Sequence, residues 1–401
     1  MKNKNESRRS FLKGSLLLGG VGIFGPSQAL AQVIADDSGI KILTGPYLQT
    51  NFQDDMHIQW ISNKEAHGWV EYGMEPTNLD RIAYGESKAG LRPVGCIHRI
   101  VLKDLQPGAT YYYRIVCKEI QDFQPYKLSY GAEVRSPIES FIALENRKDE
   151  VSFVMLNDIH DRPHSIGYLL DLDKDKQRDF VFFNGDIFDY QTDQQQLIDH
   201  FFNPIVDSFA KNTPFLYARG NHETRGKFAR TFADYFSEVG YQAFTYGPVR
   251  FVVLDSGEDK KDSHPVYGGI VDYDGYREQQ ARLLEREITS PAFKEAAFRV
   301  VLVHIPPVAT DPQWHGSNHA ASLFQPLLNK GKVDLVLSGH IHQCKFFGPT
   351  SGANNYPIVT GGGPKDGSRT LIKLHADMKQ IKVEMIGDLG QKIDELFVYR
   401  K

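Results

Sequence analysis

The sequence predicts an α+β multidomain chain: an N-terminal β-sandwich followed by an α/β domain. Three observations carry this. The 401 residues exceed the roughly 100–200 of one average domain. From about residue 41 to 136 there is no long helical periodicity, only short β-type runs separated by turn signals, the pattern of a sandwich. From about residue 151, apolar runs of strand length alternate with helical patterns such as 276–288, which predicts strands buried on both faces of a sheet. Hydrophobic residues at 41% and charged residues at 24% exclude a fibrous, collagenous or mostly disordered protein.

Residues 1–31 read as an export signal. Ser7-Arg8-Arg9-Ser10-Phe11-Leu12-Lys13 resembles the twin-arginine pattern, a short apolar stretch follows to Phe24, and Ala29-Leu30-Ala31 supplies small residues at a cleavage spacing. The apolar stretch is shorter than the roughly 20 residues a permanent membrane helix needs. No cysteine sits at the cleavage point and no later segment is apolar enough to span, so no stable membrane anchor is expected. The expected compartment is the periplasm or beyond in a bacterium, reached by the twin-arginine export machinery. The formal charge of −4 falls to −8 once the +4 of residues 1–31 is removed. That argues against nucleic acid as the main partner, and no nucleic-acid-binding module is visible. Three cysteines cannot build a disulfide framework. Cys96 and Cys117 can pair in an oxidising compartment or stand as buried thiols, and Cys344 is left over.

The sandwich is expected over 40–140. Its strands are seeded by His57-Ile58-Gln59-Trp60, Gly68-Trp69-Val70-Glu71-Tyr72, Arg99-Ile100-Val101-Leu102 and Thr110-Tyr111-Tyr112-Tyr113-Arg114-Ile115. The charged run 145–150 marks the boundary to a second domain over 149–390. Five of its apolar runs end in ligand-type residues. Val151 to Leu156 leads to Asp158 and His160, Phe180 to Phe183 to Asp186 and Asp189, and Phe215 to Ala218 to Asn221-His222-Glu223. Val300 to Val303 leads to His304, and Leu335 to Leu337 to His340 and His342. Ligands of α/β sheets bind at the carboxyl ends of strands, so five such strands predict a metal-binding rim. Imidazole, carboxylate and amide donors suit first-row transition metals. A sixth run, Phe251 to Leu254, also ends in an acid, Asp255, without a ligand pair; we read it as structural.

The ordered set Asp-x-His, Gly-Asp-x-x-Asp, Gly-Asn-His-Glu, lone His, Gly-His-x-His resembles the calcineurin-like metallophosphoesterase family over about 151–345. Gly45-Pro46-Tyr47-Leu48-Gln49 resembles the entry to the N-terminal domain of purple acid phosphatases. Leu105 to Tyr113 resembles the turn before a late strand in fibronectin type III domains, where a tyrosine ties the corner. The resemblance implies two packed sheets flanked by helices and two divalent or trivalent ions (Mn, Fe, Zn or Co). It implies Asp158, His160 and His342 on one ion, Asn221, His304 and His340 on the other, and Asp186 bridging them. The expected function is hydrolysis of phosphate monoesters by a hydroxide bridging the metals, with a small-molecule or macromolecular phosphate ester as partner. A phosphodiesterase or a nucleotide or pyrophosphate hydrolase using the same site is the alternative, and a non-catalytic binding protein with a structural metal site the remote one.

His222 is the expected proton donor to the leaving oxygen, with Asp189 holding its ring as the second catalytic residue. Purple acid phosphatases carry a tyrosine ligand three residues after the bridging aspartate. Here that position is Asp189, with Tyr190 one further on. Arg219 reads as a phosphate contact or a salt-bridge partner. Arg162 and His164 read as pocket or surface loop, and His315 and His319 as substrate-facing or simply exposed. The 255–274 segment with Gly268-Gly269 reads as a lid or an inert insertion.

Overall fold

A computed structural model describes residues 39–400 apart from positions 54, 310, 351 and 352. The proposed export signal lies outside the described residues. From Ile40 onward the chain forms one compact unit.

The N-terminal part is β-rich. Its long strand Met56–Gly73 changes partners along its length. The first half pairs antiparallel with Ile42–Gln49 and Gly95–Leu102, the second with Arg81–Tyr84 and Thr110–Gln124. The switch falls at an irregularity between Ile61 and Ala66. One strand thereby serves both layers and encloses a core of Ile58, Trp60, Val70, Ile100, Tyr111 and Tyr113. Gly95–Leu102 alternates as a half-buried strand should, with His98, Ile100 and Leu102 inward. Tyr111 ties the expected corner: its hydroxyl accepts from the Gln106 N–H at 3.0 Å. Cys96 and Cys117 are separate thiols; Cys117 Sγ accepts from Trp60 Nε1 at 2.7 Å.

The second part stacks two mixed sheets. One runs, in spatial order, Lys392–Tyr399, Gln380–Gly387, Thr370–Asp377, Glu150–Leu156, Phe180–Asn184, Phe215–Ala218. The other runs Gln242–Tyr246, Val249–Leu254, Phe298–Val303, Leu335–Ser338, Ile358–Thr360, Lys345–Phe347. The last strand extends to Tyr399, past the expected limit at 390. Phe153, Phe182, Phe251, Val300 and Leu337 fill the space between the sheets. Outside, the helical run 194–210 and His164–Leu170 cover one sheet, while Tyr273–Glu287 and His315–Lys330 cover the other.

Glu150–Leu156, Phe180–Asn184 and Phe215–Ala218 run parallel, as do Val249–Leu254, Phe298–Val303 and Leu335–Ser338. Their carboxyl ends share one edge, and all five ligand-bearing loops leave from it. The sandwich joins the same sheet through the parallel register Gln49↔Phe215. Tyr113 Oη to Lys211 O at 2.7 Å and Tyr47 Oη to Tyr235 O at 2.9 Å fasten it.

Candidate metal centre

The seven residues expected to hold metals converge. Asp158, His160, Asp186, Asn221 and His304 are buried, His340 is half-buried and His342 is exposed. Five of them, Asp158, His160, Asp186, His340 and His342, have φ between 50° and 69°. Non-glycine residues avoid this region, at a cost of about 1–3 kcal/mol each. Turning sharply off a strand end with φ positive is what aims consecutive side chains back at one point.

Two groups form. In the first, Asp158 Oδ1 lies 3.1 Å from His342 Nε2 and 3.6 Å from His160 Nε2, and those two nitrogens are 3.2 Å apart. In the second, Asp186 Oδ2 lies 3.0 Å from His304 Nε2, and Asn221 Oδ1 lies 2.9 Å from His340 Nδ1. Asp186 Oδ2 also stands 3.8 Å from His160 Nε2, so a single oxygen faces both groups.

The donors fit two first-row ions. Ligand atoms on bonds of about 2.0–2.2 Å at tetrahedral angles sit roughly 3.3–3.6 Å apart, close to these separations. Asp158 Oδ2 is occupied by the His340 N–H at 2.9 Å and the Asn157 amide at 2.6 Å, whereas the buried Oδ1 makes no hydrogen bond among the described residues. Burial alone would raise the Asp158 carboxyl, but His160, His342 and His304 hold it well below the usual carboxylate range. Burial would likewise depress His304, yet the Asp186 carboxylate overrides it and pushes the imidazole up to about 10. Anionic oxygens among imidazoles are a field built for cations.

The ligand rings are oriented from behind, as metal-ligating histidines usually are. His304 Nδ1–H donates to Asn184 O at 2.7 Å. His160 Nδ1 meets Asp189 Oδ1 at 2.8 Å. This corrects the role expected for Asp189, whose carboxylate holds His160 rather than His222. His222 Nδ1–H instead donates to the Asp189 backbone oxygen at 2.8 Å, and its Nε2 accepts from Arg225 Nη1 at 2.8 Å. The physical reason is reach: the Asp189 side chain points across the loop to the Asp-x-His turn. Burial, then the Arg225 and His160 charges, lower the His222 pKa against the pull of Asp186. These surroundings favour the neutral ring over an imidazolium.

Three further residues shape the site. Glu223, fully buried, accepts from the backbone N–H groups of Asp186 (2.9 Å), Ile187 (2.7 Å), Phe188 (3.3 Å) and Gly220 (2.7 Å), and from Tyr217 Oη (3.0 Å). It staples the Asp186 turn to the Asn221 turn. At about 1–3 kcal/mol per buried donor left unmatched, Glu223→Ala should cost at least ~3 kcal/mol in urea unfolding; a loss under ~1 kcal/mol would refute the staple. Gly220 allows the close approach, because a Cβ there would lie 2.3 Å from Asp186 Oδ1. Arg225 bonds both His222 and Glu258. The Gly-Asn-His-Glu run pointed to Glu223 as an acid but not to its partners. Arg225 and Glu258 carry no local signal, since their importance is created by tertiary contact.

The remaining expectations resolve simply. Arg219 is a salt-bridge partner, Nε to Asp255 Oδ2 at 2.9 Å. Asp255 also accepts from Tyr276 Oη at 3.1 Å and Gly257 N at 2.9 Å, the structural part assigned to it. Arg162 donates to His160 O at 2.9 Å, and His164 is exposed. His315 and His319 both contact Asp274 at 3.0 Å. The buried Arg277 also binds that carboxylate and donates to His319 Nδ1 at 3.2 Å. Asp274 and His315 stand in the first turns of Tyr273–Glu287 and His315–Lys330, where the helix dipole repels cations, so this trio is an arginine-centred clasp. Of the 255–274 segment, residues 255–259 are buried against the site, while Gly268 and Gly269 are exposed turns with positive φ.

Residues 151–344 match the family model described as calcineurin-like phosphoesterase, and residues 46–141 the one described as purple acid phosphatase, N-terminal domain. The chain thus joins a purple acid phosphatase N-terminal domain to a calcineurin-like metallophosphoesterase domain. It is similar to purple acid phosphatase 21 of Arabidopsis thaliana, 26% identical over 309 residues, covering 74% of this chain and 64% of that protein. Purple acid phosphatase 22 of the same plant is 25% identical over 313 residues, again 74% and 64%. The chain therefore spans a little under two thirds of those relatives. The purple acid phosphatase PPD1 from yellow lupin (Lupinus luteus) seeds shares its fold. The TM-score is 0.68 at 18% identity, over 89% of this chain and 74% of that one.

Proposed function

We propose that this chain is an exported dinuclear-metal phosphohydrolase acting on phosphate monoesters. The observation that carries the reading is the convergence of five strand-end loops on Asp186, whose Oδ2 faces a ligand group on either side. Two bound transition ions, of manganese, iron, zinc or cobalt, supply a nucleophilic hydroxide at neutral pH and neutralise phosphoryl charge. Asp158, His160 and His342 would hold one, Asn221, His304 and His340 the other, and Asp186 both.

The rest of the chemistry belongs to the chain. His222 lies 3.9 Å from Asp186 Oδ2 and packs its ring edge-on to His160, centroids 4.5 Å apart, with its side chain 22% exposed. It therefore stands between the ligand groups and solvent, where an ester's leaving oxygen would lie. Its Nε2 faces the Arg225 guanidinium. A phosphate dianion beside that pair offsets the arginine charge and raises the basicity of Nε2, which then takes up a proton from solvent and passes it to the leaving oxygen as the P–O bond breaks. Arg225 supplies fixed positive charge there.

The reading is tested by a chromogenic monoester, a chromogenic diester and nucleotides assayed alongside elemental analysis. Monoester turnover exceeding the others supports it; diester or pyrophosphate turnover exceeding monoester moves the substrate class to the alternative. Asp189 stands where relatives with a ferric–tyrosinate centre carry tyrosine, and Tyr190 is 57% exposed. The metal-loaded protein should accordingly not be purple, and a visible tyrosinate-to-iron charge-transfer band would contradict this ligand set. Export rests on residues 1–31; among the described residues no helix is long and apolar enough to cross a membrane. Changing Arg8 and Arg9 together to Lys should leave the protein in the cytoplasmic fraction, and unchanged fractionation would remove the twin-arginine route.

A further inference from the structure

Asn221 can place its amide in two ways. With Oδ1 toward His340 Nδ1, at 2.9 Å, its Nδ2 donates to Glu258 Oε1 at 3.4 Å. Turned over, the nitrogen meets His340 Nδ1 at 2.9 Å and Asp186 Oδ2 at 3.3 Å, and the oxygen accepts from Arg225 Nη2 at 2.9 Å. Only the first orientation offers an oxygen to a cation shared with His304, His340 and Asp186. Without a cation the second has the better hydrogen bonds, so something must favour the first.

Glu258 is placed to do so. It is 1% exposed and fixed from two sides. Arg225 clasps its Oε1 through Nη2 at 2.5 Å and Nε at 3.0 Å, and Arg277 holds its backbone oxygen at 3.0 Å. Its Oε2 is buried without a hydrogen bond among the described residues, the nearest cation being Lys260 Nζ at 3.6 Å. A carboxylate only accepts, so Oε1 can receive the Asn221 NH₂ but repels its oxygen. Arg225 only donates and pulls the opposite way. The amide thus sits between an acceptor that selects the metal-facing orientation and a donor that selects the reverse. Glu258 reaches the site from the loop after Val249–Leu254, outside every ligand motif.

We propose that Glu258 is a positioning residue that turns the Asn221 amide oxygen toward the second metal and thereby sets the affinity of that position. The inference rests on the dinuclear reading, yet it is read out by metal binding rather than turnover. The experiment titrates metal-stripped full-length protein with zinc(II) and, separately, manganese(II), by calorimetry with elemental analysis. Wild type should bind two ions. Glu258→Gln should weaken one of the two by ~10–100-fold, the usual effect of removing an orienting partner, and leave the other unchanged. Glu258→Asp, which keeps the charge on Arg225 but loses reach, should show the same selective loss and guards against a folding defect in the first variant. Adding Arg225→Met to Glu258→Gln should recover part of the lost affinity, because the donor favouring the reverse orientation is gone; a merely structural Glu258 would instead give additive losses. Wild-type affinity at both positions in Glu258→Gln and Glu258→Asp, or no recovery in the double variant, overturns the proposal. A wild type that binds two ions but hydrolyses no ester would sink the phosphatase reading and leave this one standing. A wild type that binds none sinks both.

Discussion

Asp186→Ala should remove both metals and all phosphoester hydrolysis, leaving a chain that still folds. Two dications about 3.5–4 Å apart repel by something on the order of 18 kcal/mol at an effective dielectric constant of 20. Asp186 Oδ2 lies 3.8 Å from His160 Nε2 of one ligand group and 3.0 Å from His304 Nε2 of the other, and its Oδ1 is already committed to the His222 N–H at 2.9 Å. The neighbouring carboxylates are engaged elsewhere: Asp158 belongs to one group, Glu223 is consumed by backbone donors, Asp189 bonds His160 and Glu258 bonds Arg225. Asp186→Asn, which keeps the shape and loses the charge, should also lose at least one ion. Elemental analysis after dialysis decides it; two retained ions in Asp186→Ala would mean that the bridge lies elsewhere.

His222→Ala should lower kcat by ~10²–10⁴, the range for a positioned proton-transfer group, with both metals retained. The dissociation of rate from metal content is the informative part. His222 Nε2 stands 3.9 Å from Asp186 Oδ2 but is engaged by Arg225, and its backbone N–H, which supports Asp186, survives the substitution. A parallel fall in metal content would make His222 a ligand or a fold residue instead. A fall confined to substrates with poor leaving groups would support proton delivery to the leaving oxygen most strongly.

The sequence made legible what is local. Five apolar runs ending in ligand residues were readable because a strand buried on both faces must be apolar, and its exit loop must carry the chemistry. Three of the ligand motifs open on a glycine, and the structure shows why for two: Gly185 has a φ of 77°, and Gly220 leaves no room for a Cβ beside Asp186. What was hidden depends on which loops meet. Asp189 lies three residues from Asp186 yet orients His160 from another loop. The Arg225–Glu258 pair spans 33 residues and touches Asn221 and His222 only after folding. The partner switch within Met56–Gly73 and the joining of the two parts through Gln49↔Phe215 likewise have no pattern in a single strand's sequence. The trio Asp274, His315 and His319 makes the converse point, since metal-type residues gathered around a buried arginine need no ion.

The most direct test is anomalous diffraction from crystals of the zinc- or manganese-loaded protein. The account predicts two peaks about 3.5–4 Å apart, one among Asp158, His160 and His342, one among Asn221, His304 and His340, with Asp186 Oδ2 between them. A single peak, or peaks away from Asp186, would contradict it.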